Sequence, residues 1–198
     1  MKGMREMKDM KNSLGRRALF LMSLIFFMVF MLRPFAQTQT LPLQKETIDG
    51  IRNFTRVDDT VGCAGATEPK ALAEIAKRGY KSVVNLREQG EVGAAIEESQ
   101  KAAEAAGLKF FHLPLSSTKP DPAVADSFIK VVTDQANLPV YIHCASANRA
   151  AALLLAKRML VDKWSEEKAV AEATAIGLTN QSLKQFALDY VKSKSKSF

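Results

Sequence analysis

Residues 143–150, His-Cys-Ala-Ser-Ala-Asn-Arg-Ala, contain a nucleophile, Cys144, and an anion-binding cation, Arg149. Only four residues separate the two, so both belong to one loop. The short run 140–143 before them is apolar and mostly β-branched or aromatic, which is typical of a buried strand. The run 150–160 after them is almost wholly apolar, which is typical of a helix buried on most sides. The sequence therefore places Cys144 where a strand ends and a helix begins.

A loop in this position can bind an oxyanion. Unpaired backbone N–H groups at a helix start, together with the helix dipole, attract negative charge. The same environment stabilises the thiolate of Cys144, which is the nucleophilic form. The planar guanidinium of Arg149 can hold two oxygens of a phosphate or sulfate. The loop residues expected to complete the anion site are Ala145, Ser146, Ala147 and Asn148. In the alternative interpretation, Cys144 is a small buried hydrophobe and Arg149 a surface cation.

The elements around this loop alternate between strands and helices. Short apolar runs predict strands at 60–63, 81–86, 108–113 and 140–143. Helical patterns are at 67–79, 91–106, 122–137, 149–160, 165–176 and after 180. Strands joined through helices predict an α/β fold with a mainly parallel central sheet of about four strands, flanked by helices. Ligands of such folds bind at the carboxyl ends of the strands, where the Cys144 loop lies.

The first 36 residues differ in composition from the rest. Seven Lys and Arg residues stand there against two Asp and Glu, which gives +5 of the formal net charge of +7 and leaves +2 for the remainder. The charge-free, mostly apolar run 18–32 and the small residue Ala36 predict a signal peptide at 1–36 or, if it is uncleaved, an N-terminal anchor. We therefore expect an exported protein, periplasmic or secreted, that contacts a membrane only through this segment.

The remaining divisions follow from local composition. A polar linker is predicted at 37–50, the α/β domain at 51–191 and a disordered basic tail at 192–198. The near-neutral charge after residue 36 argues against nucleic acid as a partner. Two histidines and two widely separated cysteines give little support for a metal site, and no cofactor is expected.

At these residues the chain resembles the cysteine-dependent phosphatases of the protein tyrosine and dual-specificity superfamily, particularly the bacterial branch called beta-lactamase hydrolase-like phosphatases. Residues 141–144, Tyr-Ile-His-Cys, resemble the nucleophile strand, and residues 79–87 resemble that branch's strand ending in Asn-Leu-Arg. The resemblance covers roughly 51–183. It implies a phosphatase-like fold, attack by Cys144 on a phosphomonoester, a cysteinyl-phosphate intermediate and hydrolysis by water. The substrate would be a phosphorylated protein or a small phosphomonoester.

The sequence departs from the superfamily pattern in three places. The usual loop encloses five residues, and the four-residue loop is found in the branch named above and in rhodanese sulfurtransferases. Ala147 stands where a glycine is common, so any positive φ falls on Ala147 or Asn148. Ala150 replaces a Ser or Thr whose hydroxyl would help the thiolate leave. Slow turnover, or none, is therefore an open alternative.

Asp121 and His143 are further site candidates. Asp121, on the loop after the third predicted strand, is placed to protonate a leaving alcohol as a general acid. It could instead be the N-cap of the helix that begins with Pro122, and both roles remain open. His143 is expected to orient the loop through hydrogen bonds.

Arg87 ends the second predicted strand on the same sheet edge as Cys144. It is therefore a candidate to contact the bound anion. The alternative is a solvated cation at the strand end, which Glu88 and Glu91 pair with.

Three functions remain in competition. The first is an exported cysteine-dependent phosphatase of the tyrosine or dual-specificity type. The second is a rhodanese-like sulfurtransferase, which the loop length permits, although no Gly-Gly-Trp-like segment lies near the C-terminus. The third is a catalytically inactive module that binds an anion or a partner, as Ala147 and Ala150 would allow. In an oxidising compartment, a Cys63–Cys144 disulfide would silence the nucleophile.

Overall fold

The computed structural model describes residues 43–195, which form six strands and six α-helices. The strands are β1 (Gln44–Ile48), β2 (Ile51–Arg56), β3 (Val61–Ala64), β4 (Ser82–Asn85), β5 (Lys109–His112) and β6 (Val140–His143). The helices are α1 (Leu72–Lys77), α2 (Ile96–Ala105), α3 (Pro122–Thr133), α4 (Asn148–Leu160), α5 (Glu166–Ile176) and α6 (Gln181–Ser195). The predicted signal peptide or anchor, 1–36, lies outside the described residues.

One sheet contains all six strands, in the order β1-β2-β3-β6-β4-β5. The four strands expected from the sequence are β3, β4, β5 and β6, and they pair with one another in parallel. The prediction of an α/β fold with a mainly parallel sheet is confirmed. The strand count is higher than the expected four, because β1 and β2 add an antiparallel hairpin at one edge.

The hairpin lies partly within the segment predicted to be a linker. β1 is exposed at its first four residues and buried only at Ile48, so its polar sequence has no alternating apolar pattern. The turn signal was nevertheless present. Asp49-Gly50 joins the strands, Gly50 has φ +72°, and Ile48 pairs with Ile51 across the turn. Residues 44–48 are therefore an edge strand of the domain.

Two hydrophobic clusters cover the two faces of the sheet. Neighbouring strand residues belong to different clusters, as Val83 and Val84 do, because successive side chains point to opposite faces. One cluster includes much of α4, which is buried along nearly its whole length. The other packs under α1 and α2 and includes Tyr141. The site helix α4 is thus held in the larger core.

Two helix predictions need correction. The segment 91–106 was expected to be helical throughout, but α2 begins only at Ile96, and residues 88–95 form a loop in which Gly90, Gly93 and Ala95 have positive φ. At the other end, α6 continues to Ser195, so 192–195 of the predicted disordered tail are helical, and 196–198 lie outside the described residues. Within residues 43–195, no helix is long and apolar enough to span a membrane.

Candidate active site

The Cys144 loop lies at the centre of the sheet, at the carboxyl end of β6. β6 is flanked by β3 and β4, and His143 is in register with Ala64 on one side and Asn85 on the other. Cys144 is the first residue after the strand, is only 1% exposed and carries a free thiol. Its N–H donates to the carbonyl of Ala64 at 3.3 Å. The predicted position between a buried strand and a buried helix is confirmed.

Ala147 is the loop residue with a positive φ. It has φ +73° and ψ −11° at the N-cap position of α4, and its side chain is fully buried. The sequence left the choice between Ala147 and Asn148 open, and the structure decides for Ala147. A left-handed conformation costs an alanine about 1–2 kcal/mol, so the turn into the helix is strained.

Ala147→Val is expected to lower the free energy of unfolding by about 3 kcal/mol, because a β-branched side chain is strongly disfavoured at this φ and the site is already filled. Ala147→Gly should change it by less than about 1 kcal/mol, since relief of strain offsets the lost methyl group and the added chain entropy. Urea unfolding measures both. Ala145→Val is the matched control, at a half-buried loop position without positive φ. An Ala147→Val protein as stable as the unchanged one would contradict the assigned strain.

Arg149 is buried and is held on one edge by protein groups. Its Nη1 donates to the carbonyl oxygens of Leu86 at 3.1 Å and Leu115 at 3.0 Å. Nη1 and Nη2 each donate a hydrogen bond to the carboxylate of Glu91, with Nη1–Oε1 at 2.5 Å and Nη2–Oε2 at 2.8 Å. Burial opposes the charge of Arg149, but Glu91 and the nearby Cys144 sulfur outweigh it and raise the pKa of the guanidinium. Arg149 is a fixed cation beside the thiol.

These bonds leave one edge of the Arg149 guanidinium available. A guanidinium has five N–H groups. Glu91 takes the edge formed by Nη1 and Nη2, and the carbonyls of Leu86 and Leu115 share the other Nη1–H. The Nε–H and the second Nη2–H point along the remaining edge. Two parallel N–H groups are the arrangement that binds two oxygens of a phosphate. Glu91 therefore orients Arg149 without occupying the edge that an anion needs.

Sequence reasoning did not link Glu91 to Arg149. Burial alone would raise the pKa of Glu91, but hydrogen bonds from Arg149 and from the N–H of Glu88 lower it to about 2. The carboxylate is therefore ionised at any physiological pH. Because 91–106 was predicted to be a helix, Glu91 was not expected to contact Arg149. The glycines at 90 and 93 were nevertheless a signal for a loop.

Arg87 is at the predicted sheet edge, but its guanidinium faces the 88–95 loop. Nη1 donates to the carbonyl of Gly93 and Nη2 to that of Val92, each at 2.6 Å, and Nε donates to Glu91 at 3.3 Å. The expected pairing of Arg87 with Glu91 is observed, but the alternative of a solvated cation is wrong, because Arg87 is only 5% exposed. Glu88 does not pair with Arg87 and instead donates its backbone N–H to Glu91. Contact between Arg87 and a bound anion would require these bonds to rearrange, and it stays a prediction.

His143 does not orient the loop in the way expected. Neither ring nitrogen has a hydrogen-bond partner within the described part of the chain. The ring instead stacks on Tyr141, with centroids 5.7 Å apart and planes 17° apart. Burial and the charges of Arg87 and Arg149 lower the pKa of His143 to about 3. The ring is therefore neutral at pH 7, packs on Tyr141 and lies beside the backbone of Cys144, so its role in orienting the loop stays a prediction.

Asn148 fastens the loop through its side chain. Its Oδ1 accepts hydrogen bonds from the N–H groups of Thr179 at 2.7 Å and Asn180 at 2.8 Å, and its Nδ2 donates to Ser146 Oγ at 3.2 Å. The loop is thus tied to the segment before α6. Anion binding by the amides of Ala145, Ser146, Ala147 and Asn148 stays a prediction.

Asp121 has the geometry of an N-cap. Its Oδ1 accepts a hydrogen bond from the N–H of Ala123 at 2.8 Å, and Pro122 is the first residue of α3. The carboxylate lies exposed on the loop that follows β5. The capping role is therefore observed, and a second role as a general acid stays a prediction.

Cys63 and Cys144 are both free and both buried. Cys63 pairs in register with Ile142, two residues before Cys144. Standard strand spacings give a diagonal Cα separation of about 8 Å, whereas a disulfide spans at most about 6.8 Å. The hypothetical bridge would therefore require the loop to move. Across residues 43–195, no group of three or more His, Cys, Asp or Glu residues is arranged to hold a metal ion.

Residues 53–159 match a protein family described as beta-lactamase hydrolase-like protein, phosphatase-like domain. The matched segment is more than half of the chain and includes Cys144, Arg149 and Glu91. The chain belongs to this family. Two beta-lactamase hydrolase-like proteins of Xylella fastidiosa, strains Temecula1 and 9a5c, are each 25% identical over 123 residues, which is 61% of this chain. The match spans 28% of the length of these relatives, so it concerns one part of them.

Several solved structures, among them a phosphatase, share the fold of this family member. The core catalytic domain of the PP-IP phosphatase SIW14 from S. cerevisiae has a TM-score of 0.61 at 18% identity, covering 76% of this chain and 95% of that one. P. aeruginosa TpbA has a TM-score of 0.57 at 20% identity, covering 77% and 91%. A DUF442 protein from Shewanella putrefaciens CN-32 has a TM-score of 0.62 at 17% identity, covering 75% and 98%. The predicted phosphatase-like fold is confirmed.

Proposed function

We propose that this protein is a cysteine-dependent phosphatase of the tyrosine or dual-specificity type, which hydrolyses phosphomonoesters through a cysteinyl-phosphate intermediate. The observation that carries the proposal is the Cys144 thiol in the loop between β6 and the buried helix α4, beside an arginine whose bonds to Glu91 do not use its Nε–H. Membership of a phosphatase-like family supports it. A structure of P. aeruginosa TpbA in complex with phosphotyrosine supports this substrate chemistry by analogy of fold.

The proposed reaction has two steps. In the first, the Cys144 thiolate attacks phosphorus, the ester P–O bond breaks, and Asp121 gives its proton to the leaving oxygen. In the second, Asp121 accepts a proton from water, the water oxygen attacks phosphorus, and the S–P bond breaks to release phosphate and the thiolate. Arg149 and the loop amides hold the equatorial oxygens in both steps. Ala150 offers no hydroxyl to the departing sulfur, so the second step should be the slower one.

The proposal includes export of the enzyme. It rests on the basic and apolar composition of residues 1–36, which is typical of a signal peptide or an N-terminal anchor. The proposed substrates are phosphorylated proteins or small phosphomonoesters in the periplasm or outside the cell.

Sulfur transfer is the second candidate, because the four-residue loop has the length found in rhodaneses. The test uses the full chain, fully reduced, in two assays: phosphate release from 4-nitrophenyl phosphate, and thiocyanate formation from thiosulfate and cyanide. Phosphate release without thiocyanate supports the proposal. Thiocyanate without phosphate release supports the alternative. Binding of phosphate with neither reaction would indicate an inactive anion-binding module.

Asp121→Asn separates the capping role of this residue from its proposed role as an acid. Asn caps a helix about as well as Asp, so stability should change by less than about 0.5 kcal/mol. With phenyl phosphate, whose leaving group needs a proton, kcat/KM, which reports the first step, should fall by about 10²-fold or more. With 4-nitrophenyl phosphate, whose leaving group is a far weaker base, the loss should be much smaller.

The control for this experiment is Asp134→Asn. Asp134 caps the 3-10 turn Gln135–Asn137 in the same manner, with Oδ1 accepting from the N–H of Ala136 at 2.9 Å, at the opposite end of the sheet. It should leave kcat unchanged with both substrates. If Asp121→Asn also leaves phenyl phosphate hydrolysis unchanged, Asp121 is a cap and nothing more.

A further inference from the structure

A cavity of about 380 Å³ lies at the amino ends of β3 and β6, the end of the sheet opposite to the Cys144 loop. This volume is within the range of sites that bind small molecules, about 300–1,000 Å³. Its walls come from the β1–β2 hairpin, the turn before β3 and the segment that follows α1. The lining residues that could bind a ligand are Glu46, Phe54, Arg56, Asp59, Arg78 and Tyr80.

The side chains around this cavity converge on one face of the sheet. Arg56 of β2 is in register with Gly62 of β3, and Phe54 is in register with Glu46 of β1. Directly opposed residues, and residues two apart in one strand, point to the same face, so Arg56, Phe54 and Glu46 lie together. The Tyr80 hydroxyl lies on the same face, over Gly62, where a Cβ would clash with it. Gly62 therefore makes room for this hydroxyl beside Arg56.

The protein does not use the Tyr80 hydroxyl. It has no hydrogen-bond partner within the described residues, and it is not fully buried. Burial of the side chain raises the pKa of Tyr80 to about 12, so the hydroxyl keeps its proton at physiological pH. It can therefore donate one hydrogen bond and accept another at the wall of the cavity.

The charged residues that line the cavity already have ion-pair partners. The pairs are Arg56–Asp59 at 2.9 Å, Arg78–Glu46 at 2.6 Å and Arg158–Asp58 at 2.6 Å. They include all five charged residues of the lining. A charged ligand would meet no unpaired counter-charge on these walls and would have to compete with a partner that is already in place. The walls thus favour a ligand without net charge.

The aromatic rings beside the cavity are engaged with one another. Phe54 is 2% exposed, and its ring stacks on that of the fully buried Tyr141, with centroids 6.2 Å apart. The Arg78 guanidinium lies over the Phe54 ring, 5.4 Å from its centroid. Tyr80 packs against both rings, at 6.4 Å from Phe54 and 5.9 Å from Tyr141. A flat heterocycle would find little ring surface on which to stack, so hydrogen bonds must hold the ligand.

The paired side chains keep further hydrogen-bonding capacity within the described part of the chain. Arg56 bonds Asp59 through Nη2, which leaves its Nε–H and Nη1–H groups. Arg78 bonds Glu74 through Nε and Glu46 through Nη1, which leaves its Nη2–H groups. One carboxylate oxygen of Asp59 and one of Glu46 also remain. Neighbouring donors and acceptors suit hydroxyl groups, because each hydroxyl donates one hydrogen bond and accepts others.

We propose that this cavity is a second binding site, for an uncharged polyhydroxylated molecule of monosaccharide size, and that Tyr80 and Arg56 are its main contacts. The cavity volume, the free Tyr80 hydroxyl and the paired charges all support this class of ligand. The site lies at the other end of the sheet from Cys144, so the proposal does not depend on the phosphatase function.

The test is NMR titration of the isotope-labelled full chain with two neutral sugars, glucose and N-acetylglucosamine. Glucuronate and glucosamine are their charged counterparts, and adenosine is a flat, neutral comparison. The amide signals of Gly62 and Gly79 report on the cavity, whereas that of Gly65, which pairs with Ser146, reports on the Cys144 loop. We expect a neutral sugar to shift the Gly62 and Gly79 signals and to bind about fivefold more tightly than its charged counterpart.

Tyr80→Phe removes only the hydroxyl and should weaken sugar binding about fivefold, because a hydrogen bond to the ligand is lost. The fold should be unaffected, since this hydroxyl has no partner within the described residues. Tyr190→Phe is the matched control. The Tyr190 hydroxyl bonds Asp126 at 2.6 Å outside the cavity, so its removal should leave sugar binding unchanged.

The expected pattern supports the proposal, whatever the phosphatase assays show. Failure of both neutral sugars to bind overturns it, as do shifts confined to Gly65. Tighter binding of a charged sugar or of adenosine would also reject it, because the paired charges and engaged rings would then not set the choice of ligand. An unchanged affinity in Tyr80→Phe would show that the hydroxyl is not a contact, and the assigned site would be wrong.

Discussion

Replacing Cys144 with serine should lower kcat for 4-nitrophenyl phosphate by about 10⁴-fold or more, because a serine hydroxyl is protonated at neutral pH and is a far weaker nucleophile than a thiolate. The side chain is 1% exposed, and oxygen is smaller than sulfur, so the fold should accept the exchange. Binding of inorganic phosphate should remain, since Arg149 and the loop amides are unchanged. Initial rates and calorimetry with phosphate measure the two effects.

Cys63→Ser is the matched control. Cys63 is equally buried and belongs to the same hydrophobic cluster, but it lies within β3 and away from the helix start. A hydroxyl there is buried in an apolar cluster, so the protein should lose about 1–3 kcal/mol of stability and keep its kcat. Equal losses of kcat in the two variants would show that the cysteines act through stability, and the proposed nucleophile would be wrong.

Arg149→Lys should have the second large effect, on activity and on stability together. An ammonium cannot donate to Leu86, Leu115 and Glu91 and still offer two parallel N–H groups to phosphate. We expect kcat/KM to fall by about 10³-fold, as for the loss of a main oxyanion contact. The free energy of unfolding should fall by about 3 kcal/mol, because the Glu91 carboxylate and two buried carbonyls lose their partner.

Arg158→Lys tests whether the loss of activity is specific. Arg158 lies in the same helix, is also buried, and binds three carboxylates, those of Asp58, Asp162 and Glu172. Its replacement should cost comparable stability but leave kcat/KM within about twofold, because it is far from the helix start. Urea unfolding and steady-state rates on both variants are required. An Arg149→Lys protein with kcat/KM within tenfold of the unchanged one would contradict the assigned role.

The parts predicted correctly from the sequence have strong local signals. β6 and α4 are continuous apolar runs, and Gly177 ends α5 where expected. The Cys144 loop is placed by those two neighbours, so its position needed no long-range information. Asp121 had two candidate roles, a general acid or a cap before Pro122, and the structure shows the capping bond.

The parts that were missed depend on contacts between distant segments. β1 is polar because one edge strand is largely exposed, and only pairing with β2 makes it a strand. The 88–95 loop has helix-forming Ala and Glu residues, yet Arg87 and Arg149 hold it in another conformation. Two partners of Arg149 are backbone carbonyls, which a side-chain pattern cannot reveal.

The Cys144 loop is built on segments from most of the domain. Ser146 pairs with Gly65, which lies near the start of the domain, and Asn148 accepts a hydrogen bond from Thr179, which lies near its end. Arg149 donates to Leu86 and Leu115, which lie between them in sequence. Contacts of such long sequence separation form late, because the chain between them must first be ordered. The arrangement of the Cys144 thiol, Arg149 and the loop amides therefore forms only when the whole domain has folded. A chain still emerging during synthesis lacks the arrangement of Cys144, Arg149 and Asn148 on which the proposed activity depends.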